Sequence, residues 1–296
     1  MNIINDLKHQ FKTGTALIKL IFINVAVFVL VHLIGLFIFF FTGSSGASLV
    51  VSWLALPSEL SQLIFQPWTF ISYMFLHQGL MHLLFNMLVL YFGGQIFMQF
   101  LDEKKLVATY LLGGFAGGLV YIITFNIFPV FNQLAPVSIL LGASASVIAV
   151  LIAAATYVPN FTVRLLFLGN VRLKYIAIFY LVLDLISIPQ NNAGGHISHL
   201  GGALFGFLFI TQLKKGKDIT LGFSKWLNYF KHLFSSKKNI RVVYKKPGKT
   251  KTDEEYNKQK ILHQKKVDAI LDKIAKSGYD SLSKDEKAFL FDASKK

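Results

Sequence analysis

The sequence predicts an all-α polytopic membrane protein, a six-transmembrane-helix bundle followed by a small helical cytoplasmic tail. Three observations carry this. The 296 residues are 54% hydrophobic, with 29 Phe and no Cys. The apolar residues fall into six long runs, and Lys and Arg are confined to alternate connections between those runs. Apolar runs approaching ~20 residues suit a bilayer better than a soluble core. Backbone crossing lipid must satisfy its own hydrogen bonds, so the runs read as helices. The absence of cysteine excludes disulfides, thiol catalysis and thiolate metal centres.

Residues 1–16 read as a cytoplasmic N-terminus carrying Lys8 and Lys12. The first run, 17–41, is too long for the apolar part of a cleaved signal and reads as a retained span. The others are 79–100, 106–127, 140–158, 173–189 and 196–213, so the bundle covers 17–213. The fourth and fifth are short for ~20 residues. The fourth is rich in Gly, Ala and Ser, which suits a central helix shielded by its neighbours. The GGFAGG run at 113–118 reads as a close-packing face of the third span.

Direction follows from charge. Lys8, Lys12 and Lys19 lie at the start, Lys104 and Lys105 between spans 2 and 3, and Arg164, Arg172 and Lys174 between or beside spans 4 and 5. Lys214, Lys215 and Lys217 follow span 6. The connections 42–78, 128–139 and 190–195 contain no Lys or Arg. The positive-inside rule places both termini in the cytoplasm, with spans 2, 4 and 6 running from outside to inside.

The tail concentrates the charge. From Leu213 onward there are 22 Lys/Arg against 10 Asp/Glu, a net +12, whereas the first 212 residues hold 8 against 5, a net +3. Residues 214–252 form a basic juxtamembrane segment and linker. Within it Trp226, Leu227, Phe230, Leu233 and Phe234 recur at helical spacing beside Lys225 and Lys231, as in a helix lying on the cytoplasmic lipid surface. Anionic lipid is its expected partner; no nucleic-acid motif is present, and nucleic acid is not expected. Residues 253–296 read as a small helical domain. A helix over 253–276 precedes Gly278, and Ser283–Glu286 forms a capping box opening a second helix.

The polar residues inside the spans converge on one depth. His82 and Asn86, four apart, share a face near the outer start of span 2. Ser144 lies at the start of span 4, with Gly142 two before it. His199 lies near the start of span 6, followed on the same face by Gly202 and Gly206. Glycines there allow span 6 to approach span 4 closely and bring an imidazole towards the Ser144 hydroxyl. A serine opening a helix also sits at the positive end of its dipole. Ser144 taken alone reads as readily as a packing serine; its partners at the same depth favour chemistry. Ser146 faces elsewhere and reads as packing. His77 is expected to order the outer loop, and His196 to support the site nearer the water boundary. Asp184 is the acid deep in a span. Counted along its run it falls near midspan, below Ser144 and His199, in a packing role rather than in a triad.

These residues resemble the rhomboid family of intramembrane serine proteases over about residues 15–212. The family pattern appears as His82-Leu-Leu-Phe-Asn86, Gly142-Ala143-Ser144 and His199-Leu-Gly-Gly202-Ala-Leu-Phe-Gly206, in order on spans 2, 4 and 6. The tail, with GYDSLSKDEKAFL, is similar to a small domain attached to some bacterial rhomboids, especially of the Bacteroidetes type. The resemblance implies a rhomboid-like bundle in the bacterial plasma (inner) membrane. It implies a Ser144–His199 dyad without cofactor or metal, an oxyanion hole including His82 and Asn86, and transmembrane protein substrates. Three positions depart from the pattern. Ala145 follows the serine where Gly is usual, Ile148 stands where many members carry an aromatic residue, and Trp68-Thr69 replaces Trp-Arg.

Two other readings compete. A non-catalytic rhomboid-like protein that binds membrane clients would typically lack the serine or the histidine, and this chain keeps both. A metal- or haem-binding membrane protein would draw on His77, His82, His196 and His199. No HExxH and no cysteine support it.

Overall fold

Thr15 lies in extended backbone and its side-chain oxygen accepts the N–H of Ile18, which starts the first long helix. In the computed structural model this helix, α2 (Ala16–Thr42), follows α1 (Ile3–Thr13) and ends where Gly43 takes φ 67° and returns its N–H to Phe39. The structure describes residues 3–43, 46–165, 169–190, 192–223, 225, 226, 229 and 253–293. The chain divides into two compact units, Met1–Ser236 and Lys237–Lys296.

The 27-residue α2 buries Leu17, Leu20, Asn24, Val31 and Gly35, while Phe37, Phe40 and Phe41 stand exposed. An apolar helix exposing phenylalanines in this way is matched to lipid. Three further helices are also long and apolar enough to cross a membrane: α6 (Leu80–Phe100), α7 (Glu103–Ile127) and α10 (Ala193–Lys214). The fourth and fifth apolar runs form shorter helices, α8 (Ser144–Tyr157, 14 residues) and α9 (Leu173–Ser187, 15 residues). At ~1.5 Å per residue each is shorter than a ~30 Å hydrocarbon core. The helix α8 is sheltered, since every residue from Ala145 to Ala155 is buried and α6, α7, α9 and α10 all pack on it.

Small residues set these contacts. The glycine run of α7 faces α8 and α10: a Cβ on Gly117 would come 2.6 Å from the Ala145 methyl and 2.7 Å from the Ser198 carbonyl oxygen. Polar links close the other side. The amide of Asn24 on α2 donates to the Tyr110 hydroxyl at 3.1 Å, which donates to the Met74 carbonyl at 3.0 Å.

The outer connection after α2 contains α3 (Gly46–Leu54), β1 (Leu56–Pro57), α4 (Leu60–Phe65), α5 (Thr69–Ser72) and a 3-10 turn. The sequence predicts no strands, yet β1 pairs antiparallel with β2 (Ile139–Leu140), Leu56 opposite Leu140. This ties the first outer connection to the segment entering α8. Trp68 stacks on Trp53 at 6.3 Å and donates its indole N–H to the Trp53 carbonyl at 2.8 Å, holding the connection without an arginine. Thr69, in the arginine's place, is buried and donates to the Gln66 carbonyl. A second pair of strands, β3 (Thr162–Leu165) and β4 (Gly169–Arg172), forms a hairpin between α8 and α9.

After α10, Phe223 stacks on Trp226 and both line an apolar cavity of about 490 Å³ with Pro67, Phe70, Met74 and Phe115. The predicted amphipathic segment thus places these two rings against the bundle. Leu227, Phe230, Lys231, Leu233 and Phe234 lie outside the described residues, as does the linker 235–252. In the second unit, α11 (Asp253–Ser277) stops at Gly278, whose φ is 76°. A 3-10 turn leads to α12 (Lys284–Ala293), opened by a reciprocal cap: the Ser283 N–H donates to Glu286 at 2.8 Å, and the Glu286 N–H to the Ser283 hydroxyl. Lys273 pairs with Glu286 at 2.9 Å and joins the two helices.

Candidate active site

The strand β2 leads into Gly142, which has φ +135°, a left-handed conformation that glycine alone adopts without strain. The Gly142 N–H donates to the Tyr73 carbonyl at 3.0 Å. Space demands glycine as well. A Cβ here would stand 3.0 Å from His82 Cε1 and 3.4 Å from Ser144 Oγ, so the His82 ring and the Ser144 hydroxyl flank this one position. Ser144 is the first residue of α8. N–H groups in the first turn of a helix have no helical acceptor. Ser146 is fully buried, its hydroxyl set beside Gly114 and without a hydrogen-bond partner among the described residues.

From α6 come His82 and the buried Asn86, one turn apart; the Asn86 amide donates to the His82 carbonyl at 2.9 Å. His77, just before α6, is buried with its ring 5.2 Å from that of His82 and steeply inclined to it. Burial, then the neighbouring His82, push His77 down to about 4, so it is neutral near pH 7.

Asn192, with φ 56°, opens α10 and accepts the Gly195 N–H. One turn in are His196 and His199. Further along, Gly202 and Gly206 meet the main chain of Ala145 and Ala149, so α10 lies against α8 as the glycine spacing predicts. Asp184 differs from expectation. It occupies the last turn of α9, which stops at Ser187, and its Oδ1 receives Nδ1 of His199 and Nδ1 of His196, each at 2.8 Å. It therefore lies at the level of the histidines and not beneath them. The helix also stops two residues short of the end of the run 173–189, which brings Asp184 nearer its end. The available signal was its isolation as an acid inside an apolar run.

Ser144, His199, His82 and Asn86 line one cavity of about 440 Å³, together with Asp184 and His196. Gly142, Gly202, Gly206 and His77 are not among the residues lining it. A second, apolar cavity of about 390 Å³ lies between α6 and α9. Val89 and Tyr180 line both, so the two cavities are neighbours. Among the described residues, Asp184, His196 and His199 are the group whose donor atoms, all within 4.8 Å, suit a cation. Each imidazole turns Nδ1 to the same Oδ1. His77 and His82 form a separate ring pair.

Residues 65–215, just over half of the chain, match the family model of the rhomboid domain. The chain belongs to the rhomboid family. Every side chain lining the polar cavity falls within the matched segment, and the apolar helices make this rhomboid a multi-pass membrane protein. It is similar to the rhomboid protease GlpG of Yersinia pestis (strain Pestoides F), 40% identical over 74 residues, 25% of this chain and 26% of that protein. Against the rhomboid protease GlpG of Yersinia enterocolitica serotype O:8 / biotype 1B the identity is 32% over 107 residues, 36% of this chain and 34% of that protein. The matches thus span about a quarter to a third of those relatives' length. Residues 250–296 match a family of unknown function (DUF6576).

Proposed function

We propose that this rhomboid is an intramembrane serine endopeptidase. The observation that carries the reading is the convergence of Ser144, His199, His82 and Asn86, from three helices, on one cavity. Ser144 Oγ attacks a peptide carbonyl carbon while its proton passes to Nε2 of His199. The carbonyl oxygen becomes an oxyanion held by the Ser144 N–H, the Asn86 amide and His82. His199 returns the proton to the leaving nitrogen, the C–N bond breaks and an acyl-enzyme remains. Water, activated by the same imidazole, releases the acid.

Substrates are transmembrane segments of other proteins, cut near the outer face. The apolar cavity between α6 and α9 neighbours the polar one and offers such a segment a lipid-like approach. A helix has its carbonyls already bonded, so the segment must unwind locally, which favours small or helix-breaking residues near the cut. Both termini lie in the cytoplasm in this reading, set by the Lys and Arg placement. The basic segment 214–252 meets anionic lipid there, and 253–296 is a separate docking or regulatory domain.

The test is labelling with a fluorophosphonate probe in detergent, alongside cleavage of a model transmembrane substrate. The native chain should be labelled and should cleave; Ser144→Ala and His199→Ala should do neither while keeping their thermal transitions. An unlabelled, inactive native chain would favour the client-binding alternative.

A further inference from the structure

We infer that Asp184 is a positioning residue of this site: its Oδ1 holds His199 through the Nδ1–H, leaving Nε2 as the free lone pair in the cavity that Ser144 lines. This rests on the proposed Ser144–His199 chemistry.

A neutral imidazole has one N–H and one lone pair. An ionised carboxylate only accepts hydrogen bonds, so the 2.8 Å approach of Nδ1 to Oδ1 requires the proton on Nδ1. The tautomer that can take a proton from Ser144 is thereby selected before substrate arrives. His196 donates to the same oxygen at 2.8 Å. Asp184 is 5% exposed, and a bare carboxylate in so dry a place would be strongly disfavoured. Two imidazole nitrogens on Oδ1 offset part of that cost, while Oδ2 has no partner among the described residues. As His199 takes the Ser144 proton on Nε2, the carboxylate faces the new positive charge and stabilises it; the Nδ1 proton stays where it is.

The bond also joins α9 to α10, so a purely structural staple is the competing explanation. The titratable groups facing this position are His82 from α6, Tyr180 and Asp184 from α9, and His196 beside His199 on α10. Of these, Asp184 and His196 are the two bonded to each other and Asp184 alone reaches Nδ1 of His199.

The full chain in detergent decides between them. Asp184→Asn should lower kcat on a model substrate on the order of 10²-fold, the usual scale for a disturbed acid–base group. KM should move less than about threefold, since the substrate cavity is intact. Asp184→Glu should restore part of the loss in kcat. Fluorophosphonate labelling of Ser144 should slow in parallel. Unchanged kcat in a folded Asp184→Asn protein would overturn the inference, as would a loss confined to KM. A second measurement reads the tautomer in the native chain itself. With ¹⁵N-labelled histidine in the intact chain, the resonances lost on His199→Ala should show Nδ1 protonated and Nε2 bare at neutral pH; the opposite tautomer would overturn the inference. Failure of the underlying reading looks different: the native chain would then be unlabelled and inactive, or Ser144→Ala would cleave like it.

Discussion

Gly202 lies against the main-chain carbonyl of Ala145, and no methyl group fits between them. One turn later Gly206 meets the carbonyl of Ala149 in the same way. This double contact sets how closely α10 approaches α8. Ser144 immediately precedes Ala145, and His199 lies three residues before Gly202. The glycines therefore control the separation of the two groups on which the proposed chemistry depends.

Gly202→Ala should destabilise the folded protein by about 1–3 kcal/mol, because the obstacle is backbone and cannot rotate away. In an open helix the same change would gain up to about 1 kcal/mol. Thermal unfolding in detergent, read with the cleavage rate of the folded fraction, checks both. A Gly202→Ala protein as stable and active as the native one would mean that the helices are not so closely packed.

Ser146→Ala should keep cleavage within about threefold, and stability should hold or rise by about 1 kcal/mol, since the substitution removes a buried hydroxyl that lacks a partner. Ser144→Ala removes the hydroxyl beside His82 and Gly142. If Ser146→Ala were the inactive variant of the two, Ser146 would be the nucleophile.

Asn86→Ala should reduce kcat by roughly 10²–10³-fold with a small change in KM, the pattern of a lost oxyanion donor. Its side chain lines the cavity and its present acceptor, the His82 carbonyl, is exchangeable for a substrate oxygen. Steady-state kinetics separate this from a packing role, for which a fall in thermal stability would accompany the loss.

Asp102 caps α7 by accepting the Lys105 N–H at 2.9 Å, and the Lys105 ammonium pairs with it. Burial opposes the charge, but the hydrogen bonds from the Lys105 side chain and main chain outweigh it and hold the Asp102 carboxyl below its usual range. A carboxyl lowered by folding stabilises the fold above the unfolded value near pH 4, and that contribution is lost as the pH falls through the lowered value. Asp102→Ala should cost about 1 kcal/mol at neutral pH, and Asp102→Asn, which still caps, distinctly less. Chemical unfolding at pH 7 and near pH 3 should show the gap between native and Asp102→Ala proteins narrowing in acid; a constant gap would mean the charge contributes nothing.

Much of the architecture is local in origin and legible along the chain. Apolar runs a bilayer long become α2, α6, α7 and α10. The His82/Asn86 spacing, the serine opening a Gly/Ala-rich run, and the glycines after His199 each mark a helix face, and the structure brings those faces to one cavity. The two-residue β1–β2 pairing carried no signal, because strands so short have no period and form only where two outer connections meet. The hairpin of β3 and β4 was likewise hidden between two apolar runs.

The sequence by itself determined the long apolar helices and the polar faces they turn towards the cavity, since both follow from the length of an apolar run and the spacing of residues along it. The partner of Asp184 was decided only by the tertiary structure. Where α9 stops and how near the glycines of α10 let it come to α8 are properties of packed surfaces. A carboxylate finds two imidazoles fifteen and twelve residues away because the ends of two helices meet, and no periodicity in either helix encodes that meeting.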